Sequence, residues 1–448
     1  MILIPTSFIA AILSPGVMSG VNTFLIEPEL MPVVNQGPKL SLSEAIKLAE
    51  TNSFSMRIAN SNIEKANQRS REARGQLGPK IVLDASYTRF DKAQTSDFNG
   101  TTISTRPVDS KDAKLTFSMP FDIAGVTGKA VKGANLNIEI NRANLETARN
   151  DLGLTVKRGY FQVLQAQNQL AVVREGVLRA QERLNNAESE FKAGTRAKVD
   201  VLRFETAVRQ AENDQLQAEN ALQIAKNAFN NSLGRDIETP FELEPATFWT
   251  PTDQADAELI EVANAQRPEL KAVKLQSELQ AFLRLVEERG TLPSLNFSVQ
   301  HSRAFGQTGF GGSSGSTFGV LALSFPIFDS GVTRARVKAA RQDEEQVKIQ
   351  QEQLMLGISL EVRQARASLR NAASRLVVAR KSVELAQETF RLQTLRFQNG
   401  EGIPLEVADA NTELTRAKTN LVSAEFDYLR SVAELERAIG GTLMEGKK

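Results

Sequence analysis

One sequence pattern stands at two places in the chain, 206 residues apart. The string FKAGTRAKVDVL, beginning at Phe191, returns in altered form as FQNGEGIPLEVA, beginning at Phe397. Pro120 and Gly125 return as Pro326 and Gly331, and Leu233 with Gly234 returns as Ile439 with Gly440. A period this long marks a duplicated half rather than a solenoid of short repeats. Two equivalent halves in one chain let a small number of subunits close a ring.

Nearer the amino terminus of each half the offset is 214, with Ala49 matching Ala263 and Pro79 matching Pro293. The residues missing from the second half therefore fall between Pro293 and Pro326. Length differences concentrate in exposed loops, so a loop is expected there. On both sides of it the sequence reads as strand, over Lys80 to Phe90, Ala113 to Phe121, Ser294 to Phe305 and Ser316 to Phe328. Leu115, Phe117, Met119 and Phe121 fall on one face, as do Leu295, Phe297 and Val299. The tracts between, Asp91 to Asp112 and Gly306 to Gly315, are polar or Gly/Ser-rich. Each half is thus predicted to carry one β-hairpin with a polar tip. Alternating strands of about ten residues suit a transmembrane barrel, and a soluble hairpin gives the same pattern.

Helices flank the hairpins. Ser41 and Glu44 form a capping box that opens a short helix through Ala49. A second is predicted from Ser55 to Gln76 and stopped by Gly78 and Pro79. Their counterparts are Ala257 to Ala263 and Glu269 to Arg289, stopped by Gly290 and Pro293. Far longer helices follow, because no proline occurs between Pro120 and Pro240 or between Pro326 and Pro404. Val156, Val163, Leu170, Val177, Leu184 and Phe191 recur every seventh residue, with Gly159, Ala166, Val173, Ala180 and Ala187 between them. The second half repeats this from Val362 to Phe397, and the returning stretch from Val407 to Leu435 interleaves Ala410, Ala417, Ala424, Ser431 and Ala438. This is a coiled-coil seam lined with small residues. A helix from Gly133 to Phe191 would be roughly 90 Å long, too long for a compact globule and suited to a tube or stalk.

The chain divides on these signs into a first repeat over 40–234 (hairpin 80–121, tip 191–200), a connector over 235–256 and a second repeat over 257–443 (hairpin 294–328, tip 397–406). The connector holds Pro240, Pro245, Pro251 and Trp249, which reads as a packing anchor. The class is mainly α with a small β part. Composition agrees: in 448 residues there are one Trp, three Tyr and one His, the profile of long helices. A formal charge of +1 gives no field that would point to nucleic acid. The absence of Cys removes disulfides, thiolate metal sites, a Cys nucleophile and a lipidated Cys. Residues 1–21 are apolar with small residues near the end, yet no Lys or Arg precedes Lys39. They read as a degenerate signal segment, the alternative being an ordinary apolar terminus.

The helix–hairpin–long helix–turn–helix unit, present twice, resembles the TolC-like family of outer-membrane efflux proteins. The likeness runs from about Leu40 to Leu443, and its most specific parts are the two tip strings and the proline-bounded hairpins. It implies a homotrimer whose six hairpins close a 12-stranded barrel in outer-membrane lipid, continued by a periplasmic α-barrel. It also implies a passive exit duct without cofactor or metal, served by an inner-membrane transporter and a periplasmic adaptor. By the same likeness Glu406 and Asp409 match an acidic ring at the entrance, which would favour cations. Asp200 matches an acidic tip residue whose partners in relatives are a Tyr and an Arg. Those positions are Phe397 and Gly402 here, neither of which offers a donor from its side chain, and Arg196 is the nearby substitute partner. The residues expected at adaptor-facing tip turns are Phe191, Gly194, Val199, Gly400, Leu405 and Val407, with Gly194 and Gly400 in any case expected at turns between antiparallel helices.

Little else carries chemistry. His301 stands alone on a strand, and the Gly-rich tract after it lacks the Lys and helix of a phosphate loop. No nucleophile–base set is recognisable, so an enzyme is the weakest reading. A periplasmic coiled-coil adaptor or scaffold would explain the heptads, but not two hairpins at equivalent points.

Overall fold

The computed structural model describes residues 37–98, 101–247, 254–305 and 315–443. The segment 1–21, Trp249 and most of the Gly-rich tract lie outside the described residues. In the first repeat, β1 (Lys39–Leu40) leads into α1 (Leu42–Asn52) and α2 (Phe54–Gly75). Strands β2 (Lys80–Arg89), β3 (Gln94–Phe98), β4 (Thr101–Arg106) and β5 (Asp109–Phe121) follow, then α3 (Val126–Lys192) and α4 (Lys198–Ser232). After β6 (Glu242–Leu243), the second repeat runs through α5 (Asp256–Gln266), α6 (Pro268–Glu288), β7 (Ser294–Phe305), β8 (Gly315–Ser324), α7 (Val332–Gln398) and α8 (Pro404–Ile439).

Local chemistry sets these boundaries. The Ser41 side chain accepts from the Glu44 amide at 3.3 Å, and Glu44 accepts from the Ser41 amide at 2.9 Å, so both halves of the capping box are made. Helices α3 and α7 have 67 residues each, about 100 Å apiece. Both begin after a glycine in the left-handed region, Gly125 at φ 66° and Gly331 at φ 83°. An aspartate beside each turn takes the free amides of the first helical turn: Asp122 accepts from Thr127 and Gly128, Asp329 from Gly331 and Thr333. This cap starts α3 at Val126, earlier than the expected Gly133.

The heptad seam is the core. Val156, Val163 and Val362 are fully buried, and Leu170, Leu369, Leu414 and Leu435 nearly so. Ala166, Ala372, Ala417 and Ala438 fill the rows between, and such small side chains let helix axes approach closely. The start of the first repeat is tied in by Tyr160. Its hydroxyl donates toward the carbonyls of Glu244 at 2.7 Å and Leu40 at 3.2 Å, pinning the parallel β1–β6 pair to α3. Burial pushes this phenol up to about 12.

Strands β2, β5, β7 and β8 form one antiparallel sheet in that order, so the two hairpins lie side by side and β2 and β8 are its edges. Register places Ile81, Leu83, Leu115, Phe117, Met119, Leu295, Phe297, Val299, Leu321 and Leu323 on one face. Asp84, Ser86, Lys114, Thr116, Asn296, Ser298, Gln300 and Ser302 share the other. Three expectations change. The polar tract 91–112 contains the ribbon β3–β4, and Asp109 to Asp112 extend β5. Strand β8 ends at Ser324, and Phe325, Ile327 and Phe328 lie beyond it, strongly exposed. Pro326 has no N–H to continue a ladder. Pro120 stays within β5, where β2 pairing has already stopped at Lys80 opposite Ser118, so no β2 residue stands opposite the proline.

A charged junction holds the second repeat to α3. The Arg267 side chain, 4% exposed, reaches Glu361 at 2.6 Å, Glu269 at 3.0 Å and the Ala438 carbonyl at 3.3 Å. Arg437 adds Asp151 at 2.8 Å and Glu269 at 3.4 Å. Burial works to raise the Glu269 carboxyl, but the hydrogen bond from Arg267 and the two nearby guanidinium charges outweigh it and hold the group below the ordinary carboxylate value. Arg267→Ala leaves two carboxylates short of a cation and is expected to destabilise by about 2–3 kcal/mol, below the cost at a wholly buried pair because Glu361 stays 40% exposed. Denaturant unfolding at neutral pH measures it. Since the Glu269 pKa is depressed, its contribution is complete above about pH 4.3 and is lost as pH falls through the lower folded value; the variant's deficit should shrink over the same range.

Candidate functional site at the helical tips

The two tip strings make two similar turns. After α3, the Gly194 amide donates to Phe191 and the Thr195 amide to Glu190, both at 3.0 Å. After α7, the Gly400 amide donates to Phe397 at 3.2 Å and the Glu401 amide to Arg396 at 2.9 Å. Gly194 and Gly400 share φ 79°, a conformation that costs an L side chain about 1 kcal/mol or more. The return helices then start at Lys198 and Pro404, the proline in a first turn where its missing N–H leaves nothing unpaired. Asp200 and Glu406 occupy the first turns, where a carboxylate complements the helix dipole.

The structure gathers Arg196, Asp200 and Phe397, and adds Glu190 and Phe204. Arg196 is the centre of this group. Its guanidinium pairs with Glu190, lies 3.8 Å from Asp200 and sits 4.4 Å from the centroid of the Phe397 ring. Phe204 of α4 meets the same ring edge-on at 6.2 Å between centroids. Phe397 belongs to the second tip and the other four to the first, so one aromatic ring docks the second tip into the first. Behind it Ala180, Leu184, Ala187, Phe204 and Val208 form a small buried cluster separate from the main core. Gly402 takes no side-chain part, and its amide donates to Arg396 at 3.2 Å.

The acidic pair is placed differently. Asp409 is exposed, while Glu406 is partly covered, with Arg396 Nη1 3.9 Å from its Oε2. That oxygen is buried and has no hydrogen-bond partner among the described residues. The apolar motif residues also split. Phe191, Val199 and Leu405 are exposed, but Val407 is fully buried, so it cannot face a partner. It lies in the row of Ala410 and Leu414, turned into the α8 seam.

Sequence reasoning missed the supports further up the helices. Arg183 lies 4.6 Å from the Phe390 ring, and Arg179 donates to Asn411 at 2.8 Å and Thr415 at 3.2 Å. Lys418 pairs with Glu175 at 2.8 Å. These side chains bridge the two helical hairpins, and between them α3, α4 and α8 enclose a cleft of about 380 Å³ lined by Gly176, Ala180, Asp214 and Asn411. Their one sequence sign is a polar residue beside a small one in the heptad. Among the described residues no acidic or His cluster is set to hold a metal ion, and no helix is long and apolar enough to cross a membrane.

The inter-tip contact has a measurable coupling. A double-mutant cycle on Arg196→Ala and Phe397→Ala, read by denaturant unfolding, should give about 0.5–1 kcal/mol, the size of a cation–π pair near a surface. Additive effects would mean that the two side chains are neighbours without interaction.

Known proteins share this arrangement. A family model described as outer membrane efflux protein matches residues 45–235 and 259–441. The chain is 22% identical over 419 residues to the pyoverdine export outer membrane protein OpmQ of Pseudomonas putida, covering 89% of this chain and 86% of that protein. It is 25% identical over 411 residues to the protein CyaE of Bordetella pertussis, covering 90% and 83%. Among solved structures, the Campylobacter jejuni CmeC outer membrane channel superposes with a TM-score of 0.75 at 17% identity, over 91% of this chain and 87% of that one. The matched spans cover most of the chain, which therefore belongs to the outer membrane efflux protein family, as a TolC-like outer-membrane channel rather than an enzyme.

Proposed function

We propose that three copies of the chain close one barrel of 12 strands in the outer membrane and one helical tunnel beneath it, forming an exit duct. The observation that carries this is the sheet. One face is apolar over its helix-proximal part and the other mostly polar, with Val82, Phe318 and Val320 as its apolar exceptions; the strands have 10–13 residues, and among the described residues neither edge has a partner in a single chain. Strand edges cannot stay open in hydrocarbon, where each unpaired N–H costs several kcal/mol. Pairing β8 of one copy with β2 of the next satisfies them all. The polar face then lines the water-filled bore and the apolar face meets lipid.

The tips form the entrance at the far end. Glu406 and Asp409 of three copies supply six carboxylates around one axis, a ring that attracts cations. Phe397, clamped by Arg196 and Phe204, keeps the second tip against the first and so sets how wide that ring stands. Phe191, Val199 and Leu405 present apolar surface outward, where the helical hairpin of an adaptor would dock. An inner-membrane transporter joined through that adaptor supplies the energy and the choice of cargo.

Two measurements test this reading. The mass of the detergent-extracted protein should be three times the 49.1 kDa chain; a monomer extracted without detergent would favour a periplasmic scaffold. In planar bilayers Glu406→Gln with Asp409→Asn should lower cation over anion preference, seen as a reversal potential moved toward zero in a salt gradient. An unchanged reversal potential would place the carboxylates away from the ion path.

A further inference from the structure

The apolar face of the sheet changes character at the end remote from the helices. Register sets Leu83, Leu115 and His301 in one row, Ala85, Ala113 and Arg303 in the next, and Tyr87, Lys111 and Phe305 in the row after that. Arg89 and Asp109 stand opposite each other in the last. Asp109 accepts from the Tyr87 hydroxyl at 2.7 Å and lies 3.8 Å from Arg89, so these two charges offset one another. Lys111 and Arg303 are left as an excess. Among the described residues no carboxylate lies within ion-pair distance of either. Their heads are held near aromatic faces instead, Lys111 Nζ 6.0 Å from the Tyr87 centroid and Arg303 Cζ 5.5 Å from that of Phe305.

The position of this excess is informative. The bore-facing side of the same strands balances its charges, with Lys80 and Lys114 against Asp84 and Asp112. At the helix-proximal end the apolar face carries Phe121, Leu295 and Leu323 with no charge. From Leu295 to Phe305, strand β7 climbs about 25 Å at about 3.3 Å per residue and about 40° of tilt, the height of an apolar barrel band. Lys111 and Arg303 therefore stand at the outer limit of the hydrocarbon, in the aromatic girdle, with stems in lipid and heads at headgroup level. They are diagonal neighbours across β5 and β7, about 7–8 Å apart at the backbone, a separation that two long side chains close around one tetrahedral anion. A guanidinium fork beside an ammonium suits phosphate.

Resting on the barrel reading above, we propose that Lys111 and Arg303 form a binding site for the phosphate of an anionic lipid in the leaflet facing away from the helices, one site per chain. Tyr87 and Phe305 orient the two cations and pack against the lipid's first carbons.

The test uses the full-length protein reconstituted into vesicles of phosphatidylcholine doped with phosphatidic acid, a phosphate-monoester lipid. Flotation first reports insertion, and native mass spectrometry then counts the lipids retained. The wild type should enrich phosphatidic acid. Lys111→Gln with Arg303→Gln should weaken that enrichment about thirtyfold, from two cations removed at the membrane surface. The charge-keeping pair Lys111→Arg with Arg303→Lys should retain it, and so should Lys114→Gln on the bore face. No enrichment by the inserted wild type, full enrichment by the doubly neutral variant, or equal loss in Lys114→Gln would overturn the lipid site while leaving the barrel intact. Failure to float with vesicles would overturn the barrel reading and the site together.

Discussion

Backbone hydrogen bonding is the constraint on which this molecule depends. Four strands with an apolar outer face have a place in a bilayer, but a bilayer offers no water to an unpaired edge. Within one chain β2 and β8 each have a ladder on a single side. The sheet is thus an incomplete object whose completion lies in other copies. Duplication matters for the same reason. Each repeat brings one hairpin, the β5–β7 ladder joins them, and every further copy adds the same arc. The helices inherit that geometry, because each long helix follows a strand of the sheet through its own glycine turn.

Much of this was legible in the sequence because the signals are local. The capping box at Ser41, the proline-bounded hairpins and the heptad rows each need only a few neighbouring residues to act. What was not legible depends on distant partners. The Arg196–Phe397 contact joins residues 201 apart, and no pattern near either one announces it. The tip motif likewise does not say which of its apolar members turn inward: Val407 does, Leu405 does not. The tract 91–112 reads as polar loop because a two-stranded ribbon clear of the core needs no apolar face, so its alternation goes unseen. Phe325 to Phe328 show the converse, since their apolar side chains look like strand while Pro326 ends the ladder.

The two repeats are alike in backbone and unlike in how their ends are fastened. Where the second repeat has Arg267, Glu269, Glu361 and Arg437, the first has Ser53, Ser55, Thr155 and Asn231 at the matching offsets. Ser53 caps α2 with its own hydroxyl, accepting from the Met56 amide at 3.4 Å. The charged version spans α3, α6, α7 and α8 together. Neutral caps fix one helix at a time, whereas a shared cluster makes four helices depend on one another. The halves of a duplicated chain have thus diverged in mechanical role while keeping the same outline.

The short β1–β6 pair has a consequence in time. Lys39 and Leu40 find their partners only at Glu242 and Leu243, so β1 has no strand to pair with until the whole first repeat has been made. Tyr160, which lies between them, lacks the nearer of its two carbonyls, that of Glu244, until then. The connector therefore closes the end of the first repeat, while the main core, which draws on Val156 and Val163 as well as Val362 and Leu429, still waits for the second. Such long-range pairing is slow to form, so the β1 edge stays open to wrong partners until Glu242 and Leu243 reach it.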